Sequence, residues 1–269
     1  MRFVQSSETW NRISVNSKRF TSEAMKNLFH CFSRENLEEG FRALDGSKAR
    51  GIDNVSKKDY EKKLDSNIDA LLVKLHNQSY VPLPKREVLI PKANGKMRPI
   101  AIACIEDKLV EKVTATLLTN IYENVFLRCS YGFRPNLSCH HAVNQTHKIL
   151  ESKRGFDFVV EIDLANFFNT VNHRLLMKLV RKRIGSKKVL SLIHRQLVAK
   201  VENEEGQLLT PEVGTPQGGI VSPILANIFL HYVMDEWFAD NYKSQAEMVR
   251  YADDAVFFFK NKQAADTFL

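Results

Sequence analysis

Arg250-Tyr251-Ala252-Asp253-Asp254 sets two carboxylates side by side, and the apolar run Ala255 to Phe259 follows at once. Adjacent carboxylates at a tight turn repel each other and work against folding unless a cation lies between them. The ordinary reading of Asp-Asp is a solvated turn, since aspartate is a common turn residue. Here the flanks are strongly apolar, so buried strands would hold the turn. A further aspartate, Asp163, ends a second apolar stretch, Phe156 to Leu164. Strand-end aspartates from distant parts of a chain meet only if their strands share a sheet. Together they could hold two divalent ions about 3.5–4 Å apart, the spacing of nucleotidyl-transfer enzymes. One ion would lower the pKa of an attacking hydroxyl, and the other would neutralise charge on a leaving pyrophosphate. Magnesium prefers such oxygen-rich surroundings, with phosphates completing its shell.

The elements that must position these groups follow from periodicity. Phe158, Val160 and Ile162 alternate with Val159, Glu161 and Asp163, which predicts a strand with two distinct faces. Met248–Tyr251 and Ala255–Phe259 read as two strands around Asp253-Asp254. Upstream, Arg86–Ile90 and Met97–Ala103 read as a hairpin with Asn94-Gly95 in its turn. Helical spacing predicts helices over 22–45 with Ser22 as the first cap, over 56–76, 106–124, 139–152, 173–184 and 187–199, and a buried helix from Pro223 to Phe238 capped by Ser222. Glu202–Gly206 is a polar turn. This mixture of hairpins and helices, without a regular βαβ series, argues for an α+β fold.

The 269 residues are 44% hydrophobic, enough for a sizeable core in one large domain or two subdomains. The net charge of +8 is unevenly spread: residues 1–100 carry 19 Lys/Arg against 12 Asp/Glu, and the remainder 20 against 19. A basic N-terminal region suits a polyanion, either nucleic acid or an anionic membrane surface. No stretch approaches the roughly 20 apolar residues that cross a bilayer, so no membrane partner is expected. Cys31, Cys104, Cys129 and Cys139 form no CxxC pair, which argues against a disulfide framework or a structural zinc and for reduced thiols in the cytosol.

The motifs, taken together, resemble those of reverse transcriptases. Tyr251-Ala-Asp-Asp254 resembles their YxDD signature, and Asp163-Leu-Ala-Asn-Phe-Phe168 the partner motif on the neighbouring palm strand. Gly214–Pro223 resembles the PQG segment, and Ile90–Ile100 the fingers motif that meets incoming nucleotide. Ser130-Tyr-Gly-Phe-Arg-Pro135, with Ser138–Ala142, is especially similar to the group II intron-encoded reverse transcriptases and maturases. The blocks stand in family order from about residue 36 to the end.

The resemblance implies a right-hand polymerase fold: an antiparallel palm sheet with helices, plus a fingers subdomain. It implies an N-terminal extension over 1–35, first fingers part over 36–104, first palm part over 105–170, fingers return over 171–221, and palm over 222–269 with the YADD hairpin. Asp163, Asp253 and Asp254 would be the catalytic carboxylates and, with the Leu164 carbonyl, would hold two Mg2+ ions, with Mn2+ able to substitute. Lys92 and Arg98 would bind the triphosphate, Gln217 would shape the nucleotide pocket, and Phe168 would be the bulky ring that disfavours a ribose 2′-OH. Arg134, Arg181, Lys182 and Lys187 would touch RNA. The implied partners are an intron RNA and RNA template, a DNA primer or target, and dNTPs, in a bacterial cytoplasmic ribonucleoprotein. The residues alone leave other readings open. Phe168 fits a core, Lys92 and Arg98 fit solvated hairpin charges, Arg134 fits a surface charge or internal ion pair, and Arg181–Arg183 with Lys187-Lys188 fits a solvated helix face. His140-His141 lacks a Cys or His partner at metal-site spacing, so helix packing or RNA backbone contact is the reading there.

The chain departs from close relatives of this type at Asn169 and Asn172, where FFDxIDH has carboxylates, and at Asn54, where a turn glycine is usual. Asn tolerates the left-handed conformation. The family continues past the YADD strand into more palm and a helical thumb. The 269 residues are therefore expected to lack a thumb, to be a fragment of a longer protein, and to support little processive synthesis. Two other functions fit the same motifs: a splicing maturase with little polymerase activity, and a retron, CRISPR or defence-associated reverse transcriptase.

Overall fold

The computed structural model describes residues 8–91, 95, 97–152, 154–242 and 245–269. Helix α1, Glu8–Arg19, begins with an acid and ends with Lys18 and Arg19, in keeping with the helix dipole. Its Trp10, Ile13 and Ser17 are buried on one face. The helix predicted from Ser22 does not form. Asn27 is left-handed at φ 55°, and Met25 pairs with Ile184, its N–H donating to the Arg183 carbonyl at 2.8 Å. Only a 3-10 turn, Leu28–Cys31, precedes α2, Arg34–Ala43, which Ser33 caps through the Asn36 N–H. The span predicted as one helix over 56–76 is two: α3, Lys57–Glu61, capped by Ser56, and α4, Leu64–His76. Lys63 leaves the helical region at φ −132°, and the Asn67 amide donates to the Tyr60 carbonyl across the break at 3.1 Å.

Strands β1, Lys85–Pro91, and β2, Met97–Ile102, pair antiparallel with Ile90 opposite Arg98. Asn94 of the predicted turn lies outside the described residues. Helix α5, Ile105–Tyr122, is buried on nearly every side. Helix α6 is Cys139–Glu151, β3 is Phe158–Asp163 and α7 is Phe167–Thr170. Helix α8, His173–Val180, is capped by Asn172, whose Oδ1 accepts from Leu175 N–H at 2.9 Å. Helix α9 is Lys187–Leu197, and β4, Val201–Glu202, with β5, Leu208–Leu209, flanks the predicted polar turn. Helix α10, Ser222–Leu230, passes through a π-helical segment, His231–Asp235, into α11, Glu236–Tyr242. The Ser222 hydroxyl donates to the Pro216 carbonyl at 2.7 Å instead of capping its helix. Strands β6, Ala246–Tyr251, and β7, Asp254–Phe259, precede α12, Lys262–Phe268.

These elements form two compact units. The first joins Met1–Asn124 to Phe168–Ser222. Its sheet has the order β2-β1-β4-β5, and α5 packs against α1, α2 and α9. A buried pair, Lys85 Nζ to Glu111 Oε1 at 2.6 Å, ties β1 to α5. The second unit joins Val125–Phe167 to Pro223–Leu269. Its antiparallel sheet has the order β3-β7-β6. One face buries Val160, Met248, Ala255, Phe257 and Phe259 against Phe238 and Ala265. On the other, Val249 and Phe258 pack against Ala142 and Ile149 of α6. Both faces are thus covered along β6 and most of β7, while Val159, Glu161 and Asp163 leave the outer face of β3 exposed.

Candidate active site

Register decides which carboxylates meet. Antiparallel pairing of β3 and β7 places Asp163 directly opposite Asp254, and pairing of β6 and β7 places Tyr251 opposite Asp254. Directly opposed residues point to the same face, with Cα atoms about 4.5–5.5 Å apart. Residues 91 positions apart in sequence therefore share one sheet end, as the spacing of the motifs required. Asp253 stands beside them in the two-residue loop that closes the hairpin. That loop needs a positive φ, which Ala252 supplies at 59°. Asp163 and Asp254 are exposed and Asp253 is half-buried.

The electrostatics of this corner are unbalanced. Partial burial raises the Asp254 carboxyl pKa, and the fields of Asp253, Asp163 and Glu161 raise it further. The alternation of β3 sets Glu161 on Asp163's face. Among the described residues none of these four carboxylates has a cation within ion-pair distance. A bound cation would relieve the repulsion, so the donor set fits a divalent metal. Asp163, Asp253, Asp254 and the Leu164 carbonyl would hold it; that carbonyl also accepts the Phe167 N–H at 3.2 Å. Among the described residues no three His, Cys, Asp or Glu side chains are gathered closely enough to enclose an ion unaided. Ligands from a bound substrate would complete the shell, as phosphates do for magnesium.

Beneath the turn lies Arg250, which is fully buried. Its Nε and Nη2 form a fork on Asp235 at 2.7 and 2.6 Å. Nη2 also donates to Ser130 Oγ at 2.8 Å, and Nη1 to Asn227 Oδ1 at 3.1 Å and the Ala252 carbonyl at 2.8 Å. The loop before α6 closes over the same turn. Arg250 N–H donates to the Cys129 carbonyl at 2.7 Å, and Tyr131 N–H to the Arg250 carbonyl at 2.8 Å. Gly132 lies so close that a Cβ there would stand 2.3 Å from the Ala252 nitrogen. Arg250, Ser130 and Gly132 lie inside the motifs, but nothing in the sequence signals their task, and Asp235 and Asn227 carry no signal at all.

The residues expected at the nucleotide belong to the first unit. Lys92 lies outside the described residues, and Arg98 is exposed on β2. Gln217 is half-buried; its carbonyl accepts the Ala101 N–H at 2.8 Å, and its side-chain amide donates to Asn169 Oδ1 at 3.4 Å. Gly218 sits at φ 95° against Ile100, where a Cβ would clash at 2.7 Å. Thr215 N–H donates to the carbonyl of half-buried Phe168 at 2.6 Å, and the buried His173 ring meets the Gly214 carbonyl at 2.5 Å. An open cleft lined by Glu87, Pro99, Ala101, Asn169, Thr215 and Gln217 results. The two departures from the FFDxIDH pattern thus have local tasks: Asn169 holds Gln217 and Asn172 caps α8. Glu111 steadies the segment beyond Gln217, its Oε2 accepting the Ile220 N–H at 2.7 Å.

Of the expected RNA contacts, Arg181, Lys182 and Lys187 are exposed around the α8–α9 connection. Arg134 donates to the Leu127 and Ser130 carbonyls at 2.9 and 2.8 Å and lies over Phe126. Arg183 is not on a solvated face. It is buried and donates to Phe20 and Ser17. His141 caps its own helix, exchanging hydrogen bonds with Ser138.

The family model described as Reverse transcriptase (RNA-dependent DNA polymerase) matches residues 90–269. Protein YkfC of Escherichia coli strain K12 is 34% identical over 251 residues, covering 81% of this chain and 65% of its own length. The group II intron-encoded protein LtrA of Lactococcus lactis subsp. cremoris is 34% identical over 226 residues, covering 82% of this chain and 36% of its own. Among solved structures, a chain of a partial Cas6-RT-Cas1–Cas2 complex superposes with TM-score 0.51 at 21% identity, over 88% of this chain and 39% of that one. The chain thus spans about two thirds of one curated relative and about a third of the other.

Proposed function

The chain belongs to the reverse transcriptase (RNA-dependent DNA polymerase) family, and from that premise we propose that it extends a primer 3′-hydroxyl with dNTPs on an RNA template. Family members use divalent metal ions, and RNA templates are their partners. The finer assignment is two Mg2+ ions at Asp163, Asp253 and Asp254. The observation that carries it is the pairing of Asp163 with Asp254 beside a turn that exposes Asp253, with no cation among the described residues to balance them. Ions bound there would activate the primer hydroxyl and offset charge on the leaving pyrophosphate.

The protein's own groups orient and select. The two sheet pairings fix the carboxylates relative to one another. Lys92 and Arg98 are assigned to the triphosphate, Gln217 to the pocket wall, and Phe168 to exclusion of a 2′-hydroxyl. Similarity to an intron-encoded relative over 82% of the chain supports a group II intron type, which would bind intron RNA and assist its splicing. A maturase with little polymerase activity would not need all three aspartates, and all are present.

Primer extension on an RNA template tests this. Extension should require Mg2+ or Mn2+ and fall about a thousandfold or more in Asp253→Ala, since a catalytic metal contributes several kcal/mol to the transition state. Extension that survives Asp253→Ala would contradict the assignment. Tight intron RNA binding without any extension would favour the maturase reading.

A further inference from the structure

An arginine side chain has five N–H donors in a rigid fork, and all five of Arg250's are met inside the second unit. Four of the bonds go to groups that hold the guanidinium still: both oxygens of Asp235, Asn227 and Ser130. The fifth goes to the Ala252 carbonyl, the peptide group that leads directly into Asp253. Asn227 is itself anchored, its Nδ2 donating to the Gly132 carbonyl at 2.7 Å. The fork therefore links the turn, the loop before α6 and the helix after Pro223.

The π-helical segment explains how one helix supplies both Asn227 and Asp235. Eight residues of regular α-helix advance about 800°, which would leave Asp235 roughly 80° away from Asn227 around the axis. The wider π turn over His231–Asp235 takes back most of that offset, so both side chains face Arg250. Such insertions recur at functional sites.

We propose that Arg250 is a positioning residue for the metal-binding turn. Its hydrogen bond to the Ala252 carbonyl fixes the plane of the Ala252–Asp253 peptide. That plane sets the direction in which the Asp253 carboxylate leaves the turn. Asp235 neutralises the guanidinium, so the contribution is direction and not charge. The Ala252 carbonyl would otherwise be free to rotate with its strained, left-handed residue. Lysine cannot replace this function, because an ammonium offers three donors from one point instead of a planar fork. This inference rests on the two-metal reading of the turn.

The test is Mn2+ binding to the whole 269-residue chain, followed by electron paramagnetic resonance of the free ion, with thermal melts of every variant. Arg250→Lys keeps a cation against Asp235 and is expected to melt cooperatively while binding Mn2+ about tenfold or more weaker, the usual effect of losing an outer support of a metal ligand. Met248→Ala, on the same strand but packed in the core, is expected to lose stability and keep near-wild-type Mn2+ affinity. A folded Arg250→Lys with wild-type affinity overturns the proposal, as does an equal loss in Met248→Ala. If Arg250→Lys does not fold, the double variant Arg250→Met with Asp235→Leu decides: exchanging both members of a buried ion pair for apolar groups tends to preserve folding, it removes the bond to the Ala252 carbonyl, and it should weaken Mn2+ binding, whereas wild-type affinity in it overturns the inference. Asp253→Ala separates the two levels. If it binds Mn2+ as well as wild type, the metal assignment itself fails, whatever Arg250 does.

Discussion

At the residue scale, Ala252 and Gly132 show how tightly the turn is built. A non-glycine residue in the left-handed region carries roughly 1–2 kcal/mol of strain and persists only where its surroundings hold it. Gly132 is one such surrounding, packed against the Ala252 nitrogen with no room for a side chain. Gly132→Ala should therefore push the turn aside, costing about 1–3 kcal/mol in a urea titration. It should also weaken metal-dependent extension more than an equally destabilising change in the core. Equal effects on both would show that Gly132 supports only the fold. Much at this scale was legible in the sequence. Carboxylates at strand ends, the left-handed Asn54 at φ 55° and the alternation of Glu161 with Asp163 all follow from local rules. Asp235 was not legible, because a helical period of 3.6 carries it off the face that the π turn restores. Arg183 departs from the solvated reading of its run for a related reason: a basic run looks solvated until a distant segment, here Ser17 to Phe20, closes over one member.

At the element scale, α5 carries a titration of its own. Asp107 in its first turn is buried, and burial pushes its carboxyl up to about 7, against the opposing hydrogen bonds from the Tyr80 hydroxyl and the Leu83 N–H. The folded state therefore holds a proton that the unfolded state releases near the ordinary carboxylate pKa of about 4. Below that range both states are protonated and the contribution to stability is fully present. It is lost progressively as pH rises from about 4 to about 7, then levels off. Urea midpoints across that window should fall with rising pH, and a rise would contradict the shift. Helix breaks were the least legible elements. The division of the span 56–76 depends on Asn67 reaching the Tyr60 carbonyl, and the loss of helix after Ser22 depends on Met25 pairing with Ile184. Neither contact has a periodic signature. The strands of the three-stranded sheet were legible because one face is apolar apart from Arg250.

At the scale of the whole molecule, charge and family converge on nucleic acid. The first 100 residues hold 19 Lys/Arg against 12 Asp/Glu, and the family match covers residues 90–269. Binding of a structured RNA should weaken steeply with salt, by about tenfold or more between 50 and 200 mM, if several phosphates are neutralised. Salt-independent binding would remove the basic region from the interface. The α+β class, the antiparallel three-stranded sheet and the pairing of distant aspartates were all accessible from sequence, because each rests on the order of short motifs. The supports under the turn were not, because they come from segments whose own patterns signal only core.

The most direct test uses Mn2+ in place of Mg2+ in crystals of the chain with a bound dNTP, located by anomalous scattering. The expected result is an anomalous peak within coordination distance, about 2.0–2.2 Å, of carboxylate oxygens from both Asp163 and Asp253. A peak that touches neither aspartate, or only one of them while the other faces away, would contradict a shared metal site at the end of this sheet.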